Sequence, residues 1–156
     1  MSQAHEKLIA WQRADDLCVE IYRLTRQKLP PSERYELSKK LRRAAYSVPA
    51  NLAEGFATES TAIRLRYARI AVGSLAEVGY GVHLAGRLNY LSGDVGQRAL
   101  NQISMVAAPL RGLIKHLTEE LATQKWVACS HYPTHSTHST DATRLPLPPY
   151  FGGGSI

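Results

Sequence analysis

Apolar residues recur every three or four positions along most of the chain, and this spacing predicts amphipathic helices. The pattern divides residues 1–127 into four segments, at 6–29, 32–57, 61–90 and about 95–125. No stretch alternates convincingly, as a half-buried strand would. In the second segment the apolar positions are Leu37, Leu41, Ala44, Ala45, Val48, Leu52 and Phe56.

Prolines mark where these helices should end or bend. Pro30 and Pro31 stop the first helix, and Ser32 is placed to cap the second. Pro49 and Pro109 each remove a backbone donor, so we expect kinks in the second and fourth helices. Because the connections are short, sequential helices should run antiparallel. The prediction is an all-α, up-down-up-down four-helix bundle with a C-terminal tail.

The third segment, residues 61–90, carries two apolar stripes. One includes Ile63 and Ile70, and the other includes Leu65 and Val82. Two stripes predict burial on two sides, against the bundle and against another chain. Its glycines would destabilise an isolated helix by about 1 kcal/mol each. We therefore expect neighbours to approach the backbone closely at Gly73, Gly79, Gly81 and Gly86.

Residues 128–156 are rich in Ser, Thr, His, Pro and Gly. Burial there cannot offset the entropy of ordering, so we expect a disordered tail or an extended docking segment. Within it, "RLPLPPYF" favours polyproline II, a conformation that grooves of partner proteins bind. Three tail histidines suit a loose transition-metal site, although incidental polar composition explains them more simply. They are His131, His135 and His138.

Several features bear on the compartment. No apolar run is long enough to span a bilayer, and the first twelve residues lack the apolar core of a signal peptide. Cys18 and Cys129 are far apart and in no motif, which favours a reducing environment. These observations predict a cytoplasmic protein without a membrane partner.

The formal net charge of +6 lies on residues 1–127, which hold 18 Lys and Arg against 12 Asp and Glu. A basic surface permits contact with a polyanion. One candidate face has the helical spacing i, i+3, i+4, i+7, and cations beside an aromatic ring suit phosphates and a stacked base. The alternatives are a solvated face or ion pairs between subunits. This face consists of Lys39, Arg42, Arg43 and Tyr46, extended by Lys40 and Arg34.

A second basic cluster, Arg64, Arg66 and Arg69, begins the third helix. Antiparallel packing brings the start of that helix to the end of the second one. We therefore expect the two clusters at opposite ends of the bundle.

Two carboxylates, Glu54 and Glu77, lie next to apolar stripe positions. A buried carboxylate must pair, and Arg43 and Asn51 are suitable partners. We expect a structural polar network of these four residues. An acid–base or metal site is disfavoured because no nucleophile has matching spacing and the Glu-x-x-His pattern of di-metal bundles is absent. The sequence predicts no enzyme and no cofactor.

Three stretches resemble a known family over about residues 5–120. They are "LIAWQRADDLCVEIYRLT", "RYELSKKLRRAAYSVPANLAEGFA" and "RLRYARIAVGSLAEVGYGVHLAGRLNYLS". They are similar to the four-helix-bundle proteins encoded in bacterial 23S rRNA intervening sequences, often labelled S23 ribosomal protein. Distant relatives are the accessory variability proteins of diversity-generating retroelements. The resemblance implies a barrel-like homopentamer without enzymatic activity. For the retroelement relatives it implies binding to reverse transcriptase and to nucleic acid.

Two functions follow as hypotheses. The first is a non-enzymatic oligomer that binds nucleic acid, with RNA first, or serves as an adaptor for an enzyme such as a reverse transcriptase. The alternative is a structural ring that displays its C-terminal tails to a protein partner and binds no nucleic acid.

Overall fold

The computed structural model describes residues 4–33 and 35–130, without the side chains of 127–130. Two short 3-10 helices, Ala4–Lys7 and Pro31–Glu33, precede the first and second α-helices. The predicted all-α class and helix order are confirmed. The α-helices are α1 (Ile9–Gln27), α2 (Leu37–Phe56), α3 (Thr61–Arg87) and α4 (Gly93–Ser130).

The four helices form a closed ring in which each packs against the next and α4 returns to α1. Contacts between α2 and α3 show the antiparallel arrangement, because Gly55 at the end of α2 meets Tyr67 near the start of α3. The core contains most of the apolar positions that the periodicity predicted, although Ile63 and Ile70 of α3 are exposed. Burying each large side chain contributes roughly 1.5–3 kcal/mol. The largest fully buried apolar side chains are Leu17, Ile21, Leu41, Leu52 and Leu110.

The start of α2 differs from its prediction. Ser32 lies in the 3-10 helix, and α2 begins at Leu37. There the Glu33 carboxylate accepts a hydrogen bond from the Leu37 backbone N–H at 3.3 Å. The Glu33 side chain therefore accepts from a backbone N–H in the first turn of α2 that has no partner within the helix. The cap of α3 is Ser60, whose hydroxyl accepts from the Ile63 backbone N–H at 3.4 Å.

Helices α2 and α4 each continue through an internal proline. Pro49 is buried within α2, and Pro109 lies within α4. The kinks expected at both positions stay predictions. Helix α4 reaches Ser130, so the helical part extends past the predicted boundary at residue 127.

The expectation about glycines is correct at one of four positions. A Cβ at Gly81 would lie 2.6 Å from Leu41 Cδ2, so a larger residue there would require the Leu41 side chain to shift. The other three have no heavy atom within 4 Å of the Cβ position, so the prediction is wrong for them within this chain. They are Gly73, Gly79 and Gly86. Gly55, near the end of α2, is also closely packed, because a Cβ there would lie 2.7 Å from Tyr67 Cβ.

None of the helices in the described ranges combines the length and the hydrophobicity needed to cross a bilayer. The predictions for the tail from residue 131 onward lie outside the described residues.

Candidate nucleic-acid interface

Arg42 is held against α1 rather than pointing freely outward. Its Nε donates a hydrogen bond to Thr25 Oγ1 at 2.7 Å, and its guanidinium carbon lies 5.5 Å from the centroid of the Tyr22 ring. The Thr25 hydroxyl is buried and itself donates to the Ile21 carbonyl at 2.8 Å. These contacts hold the guanidinium against α1.

Arg42 forms one wall of a cleft of about 650 Å³ between α1 and α2, which we call the basic cleft. Among the residues that the structure describes, three guanidinium groups line it and no carboxylate does. One of the three, Arg23, also forms a long ion pair with Glu20, at 4.0 Å. The lining consists of Tyr22, Arg23, Thr25, Arg26, Leu29, Pro30, Pro31, Ser38 and Arg42.

Sequence reasoning missed the contribution of α1 to this cleft. Arg23 and Arg26 are three positions apart, beside Tyr22, near the end of the helix. That spacing is the signal that one face of α1 carries them together. The sequence interpretation considered only the apolar stripe of α1. The packing of α1 against α2 brings Arg42 into the same cleft as Arg23 and Arg26.

Three residues of the predicted face do point to solvent, and we call them the α2 ridge: Lys39, Arg43 and Tyr46. Tyr46 is 61% exposed. Within the described part of the chain, neither Lys39 nor Arg43 has an ion pair or a side-chain hydrogen bond. Lys40 is separate, because it forms an i, i+4 ion pair with Glu36 at 3.7 Å. The predicted face is therefore divided among three environments.

The second basic cluster is also divided. Arg64 Nε donates to the Thr58 carbonyl at 2.9 Å, and its guanidinium lies 5.2 Å from the Phe56 ring centroid. These contacts fasten the connection between α2 and α3. Arg66 and Arg69 are exposed. From Arg42 to Phe56 is about 21 Å along α2 at 1.5 Å per residue, so the two clusters occupy opposite ends. Arg34 lies outside the described residues.

The predicted network of Arg43, Asn51, Glu54 and Glu77 does not form within the described chain. Both carboxylates are exposed, so the expectation that they are buried is wrong. The reason is that α2 and α3 approach through small polar residues, which leave no space for a carboxylate between them. Ser47 Oγ lies 2.8 Å from Ser74 Oγ, and Asn51 Nδ2 donates to the Ser47 carbonyl at 2.6 Å.

Glu54 has a different partner from the predicted arginine. Its Oε1 accepts a hydrogen bond from the Tyr67 hydroxyl at 2.6 Å. This hydrogen bond, with a smaller effect of desolvation, raises the pKa of the Tyr67 hydroxyl. At the other end of the bundle the Tyr90 hydroxyl donates to Glu33, and the pKa of Tyr90 is raised for the same reason.

Metal-binding chemistry finds no support among the described side chains of residues 4–33 and 35–126, where no group of three or more His, Cys, Asp and Glu is placed to hold an ion. The tail histidines, His131, His135 and His138, lie outside the described residues. Burial, with a contribution from Asp15, raises the pKa of the half-buried Cys18 thiol and so disfavours its reactive thiolate form.

Comparisons with known proteins agree with this fold. A solved structure from Bacteroides thetaiotaomicron VPI-5482, described as a protein of unknown function from the S23 ribosomal protein family, is 22% identical with a TM-score of 0.61. The match covers 69% of this chain and 99% of that one, and at this identity it shows the fold alone. No curated protein matches the chain significantly. The family model for the 23S rRNA-intervening sequence protein matches residues 6–112, and the chain belongs to that family.

Proposed function

We propose that this protein is a non-enzymatic, oligomeric RNA-binding protein whose basic cleft and α2 ridge together hold a phosphate backbone. The observation that carries the proposal is that three arginines meet in a cleft whose lining, within the described part of the chain, contains no carboxylate. The exposed cations of the α2 ridge lie directly beside it on the same helix. Arg42 belongs to the cleft, and Arg43 to the ridge.

The chemistry of the cleft suits phosphate. A guanidinium offers planar donors that match phosphate oxygens, and a guanidinium already held in place loses less entropy when it binds. Arg42 uses its Nε for Thr25, which leaves its terminal N–H groups for a ligand. Arg23 and Arg26 supply further donors from α1.

Exposed aromatic side chains favour single-stranded RNA over a duplex. Unpaired bases stack on aromatic rings, and each such contact is worth about 1–3 kcal/mol. Tyr46 on the α2 ridge is a suitable platform because it is 61% exposed beside Arg43. The name of the family links its members to 23S rRNA intervening sequences, which makes RNA the first nucleic acid to test.

Oligomerisation is part of the proposal because α3 presents apolar side chains to solvent. Ile63 and Ile70 are each 42% exposed, seven residues apart along one stripe of this helix. A second copy covering that stripe would remove them from water and would add another +6 of charge to the assembly. The family resemblance suggests five copies, and native mass spectrometry of the full chain measures the number.

The first experiment uses fluorescence anisotropy to measure how tightly a labelled single-stranded RNA binds to the full chain and to two double variants. Lys39→Glu/Arg43→Glu reverses two exposed cations of the α2 ridge. Arg66→Glu/Arg69→Glu reverses two exposed cations at the opposite end. Both variants change the net charge equally, so only the position of the charges differs.

We expect the ridge variant to lose at least tenfold in affinity and to show a shallower salt dependence, because phosphate contacts release counterions. The control variant should lose much less. Equal losses in both variants would mean that net charge alone attracts RNA. No binding by the unaltered chain at low salt would contradict the proposal outright.

A further inference from the structure

A second groove flanks α2 on the side away from α1, and its chemistry is the reverse of the basic cleft. It has a volume of about 780 Å³ and lies between the first half of α2 and the second half of α3. Small residues, Ala44, Ala76 and Gly81, line it together with Leu84. We call it the α2–α3 groove.

The α2–α3 groove leaves apolar surface in water. Tyr80 is 66% exposed and Leu88 is 45% exposed, although both line it. Exposed apolar surface that is contiguous and concave marks a binding site more often than isolated exposed residues do. The groove therefore has the shape and the polarity to hold a narrow, apolar segment of chain.

Its rim is acidic, in a protein that is basic overall. Three carboxylates, from Glu33, Glu36 and Glu77, line the α2–α3 groove together with one ammonium group, from Lys40. The ammonium group is already paired with Glu36. Glu77 is exposed and has no ion pair or hydrogen bond among the described residues. An apolar segment that carries a cation would complement this rim.

One segment of the same chain has this composition. The 26 residues after Ser130 include "RLPLPPYF", residues 144–151, in which Arg144 precedes the densest apolar run of that region. Such a proline-rich segment favours polyproline II, which costs little entropy to bind in a groove. Its eight residues span about 25 Å in that conformation. The α2–α3 groove, from Gly73 to Leu88, is about 22 Å long.

The connecting residues are long enough. Helix α4 passes the start of α3, where Gln124 donates to the Thr61 hydroxyl at 3.1 Å, and it continues about 9 Å further to Ser130. From Thr61 back to Gly73 is about 18 Å. The near edge of the groove is thus about 27 Å from Ser130 along the bundle, plus about one helix width. Residues 131–143 can extend to about 43 Å.

We propose that residues 144–151 bind in the α2–α3 groove of their own chain, with Arg144 beside Glu77 and the apolar side chains against Tyr80 and Leu84. This contact covers the exposed apolar wall and pairs the unpartnered carboxylate. It does not depend on RNA binding, because the basic cleft lies on the other side of α2.

The test is photocrosslinking in the full chain, with benzoylphenylalanine in place of Tyr150. Irradiation followed by peptide mass spectrometry should give crosslinks to residues 37–44 or 73–88. The matched control carries the same photoreactive residue in place of Tyr132, close to the end of α4. It should not label the α2–α3 groove. Mixing isotopically heavy and light chains separates crosslinks within a chain from crosslinks between chains.

The charge pairing is tested on the same crosslink. Glu77→Lys should lower its yield by about two- to fivefold, the factor that a surface ion pair is worth, and Arg144→Glu in the same chain should restore it. Glu59→Lys, which alters an exposed carboxylate at the other end of α2, should leave the yield unchanged.

Two results would overturn the proposal. Crosslinks at the α2–α3 groove that join heavy and light chains would assign it to the tail of a second copy. Crosslinks mainly to other surfaces, or none from position 150, would show that the groove takes another occupant.

Discussion

Helix α2 packs against α1 on one side and against α3 on the other. These two interfaces, which we call the α1 seam and the α3 seam, differ in the contacts that hold them and in the surface groove beside each. Towards α1, the seam is fixed by Arg42 on Thr25 and Tyr22, and it opens into a cleft lined by arginines. Towards α3, the helices approach through glycines and serines, and the seam opens into an apolar groove with an acidic rim.

The difference shows that basic residues close together in sequence can lie in different surroundings once the helices have packed. Lys39, Lys40, Arg42 and Arg43 are nearly contiguous in sequence, yet they serve different surfaces. Arg42 contacts α1, Lys40 pairs on the α3 side, and the other two face solvent. The basic residues of α2 therefore do not act as one uniform patch, because Thr25 of α1 holds Arg42 and Glu36 pairs with Lys40.

The largest effect is expected where the α3 seam is tightest. A Cβ at Gly55 would lie 2.7 Å from Tyr67 Cβ, an atom fixed by its own backbone, so Gly55→Ala must push α2 and α3 apart. We expect the free energy of unfolding to fall by about 2 kcal/mol, a typical cost of overpacking. Urea denaturation of the full chain, followed by circular dichroism, measures it.

Gly73→Ala is the matched control on α3. A Cβ there has no heavy atom within 4 Å, so the substitution should stabilise the helix by up to about 1 kcal/mol. If both variants were equally stable, close packing would not distinguish this seam from that of α1.

The next effect concerns the α1 seam. Arg42→Ala removes the hydrogen bond to Thr25 and the contact with Tyr22, so we expect the free energy of unfolding to fall by about 1.5 kcal/mol. Arg43→Ala, on the exposed α2 ridge, should change it by no more than about 0.5 kcal/mol. Thermal and urea unfolding of both variants gives the comparison. If both variants lost the same free energy of unfolding, the contacts of Arg42 with Thr25 and Tyr22 would not stabilise the fold.

The smallest effect is a pH dependence at the Thr61 end of the α3 seam. The Glu54 hydrogen bond raises the pKa of folded Tyr67 above its unfolded value of about 10. Its stabilising contribution is therefore complete below about pH 10 and is lost as the pH rises through the folded pKa. Tyr67→Phe should lower the melting temperature slightly at pH 8, and this difference should vanish at strongly alkaline pH.

Tyr46→Phe serves as the comparison, because the Tyr46 hydroxyl makes no hydrogen bond with the described residues. At pH 8 its melting temperature should equal that of the unaltered chain. A Tyr67→Phe difference that did not change with pH would mean that the hydroxyl contributes through packing rather than through Glu54.

Much of the fold could be predicted from sequence. The periodic apolar positions, such as Leu41 and Leu52, required only the repeat of the helix, and the breaks at Pro30 and Pro31 required only backbone chemistry. The family could be predicted from three short sequence stretches, and the match of the family model over residues 6–112 confirms it.

The candidate site needed the tertiary structure, for a physical reason. Periodicity shows which face of a helix is apolar, but it does not show how far apart two helices lie or which neighbour covers each flank. Serines at positions 47 and 74 let α2 and α3 approach, which pushed Glu54 and Glu77 outward. The pairing with α1 brought Arg42 to Arg26, sixteen residues away in sequence, and so created the basic cleft.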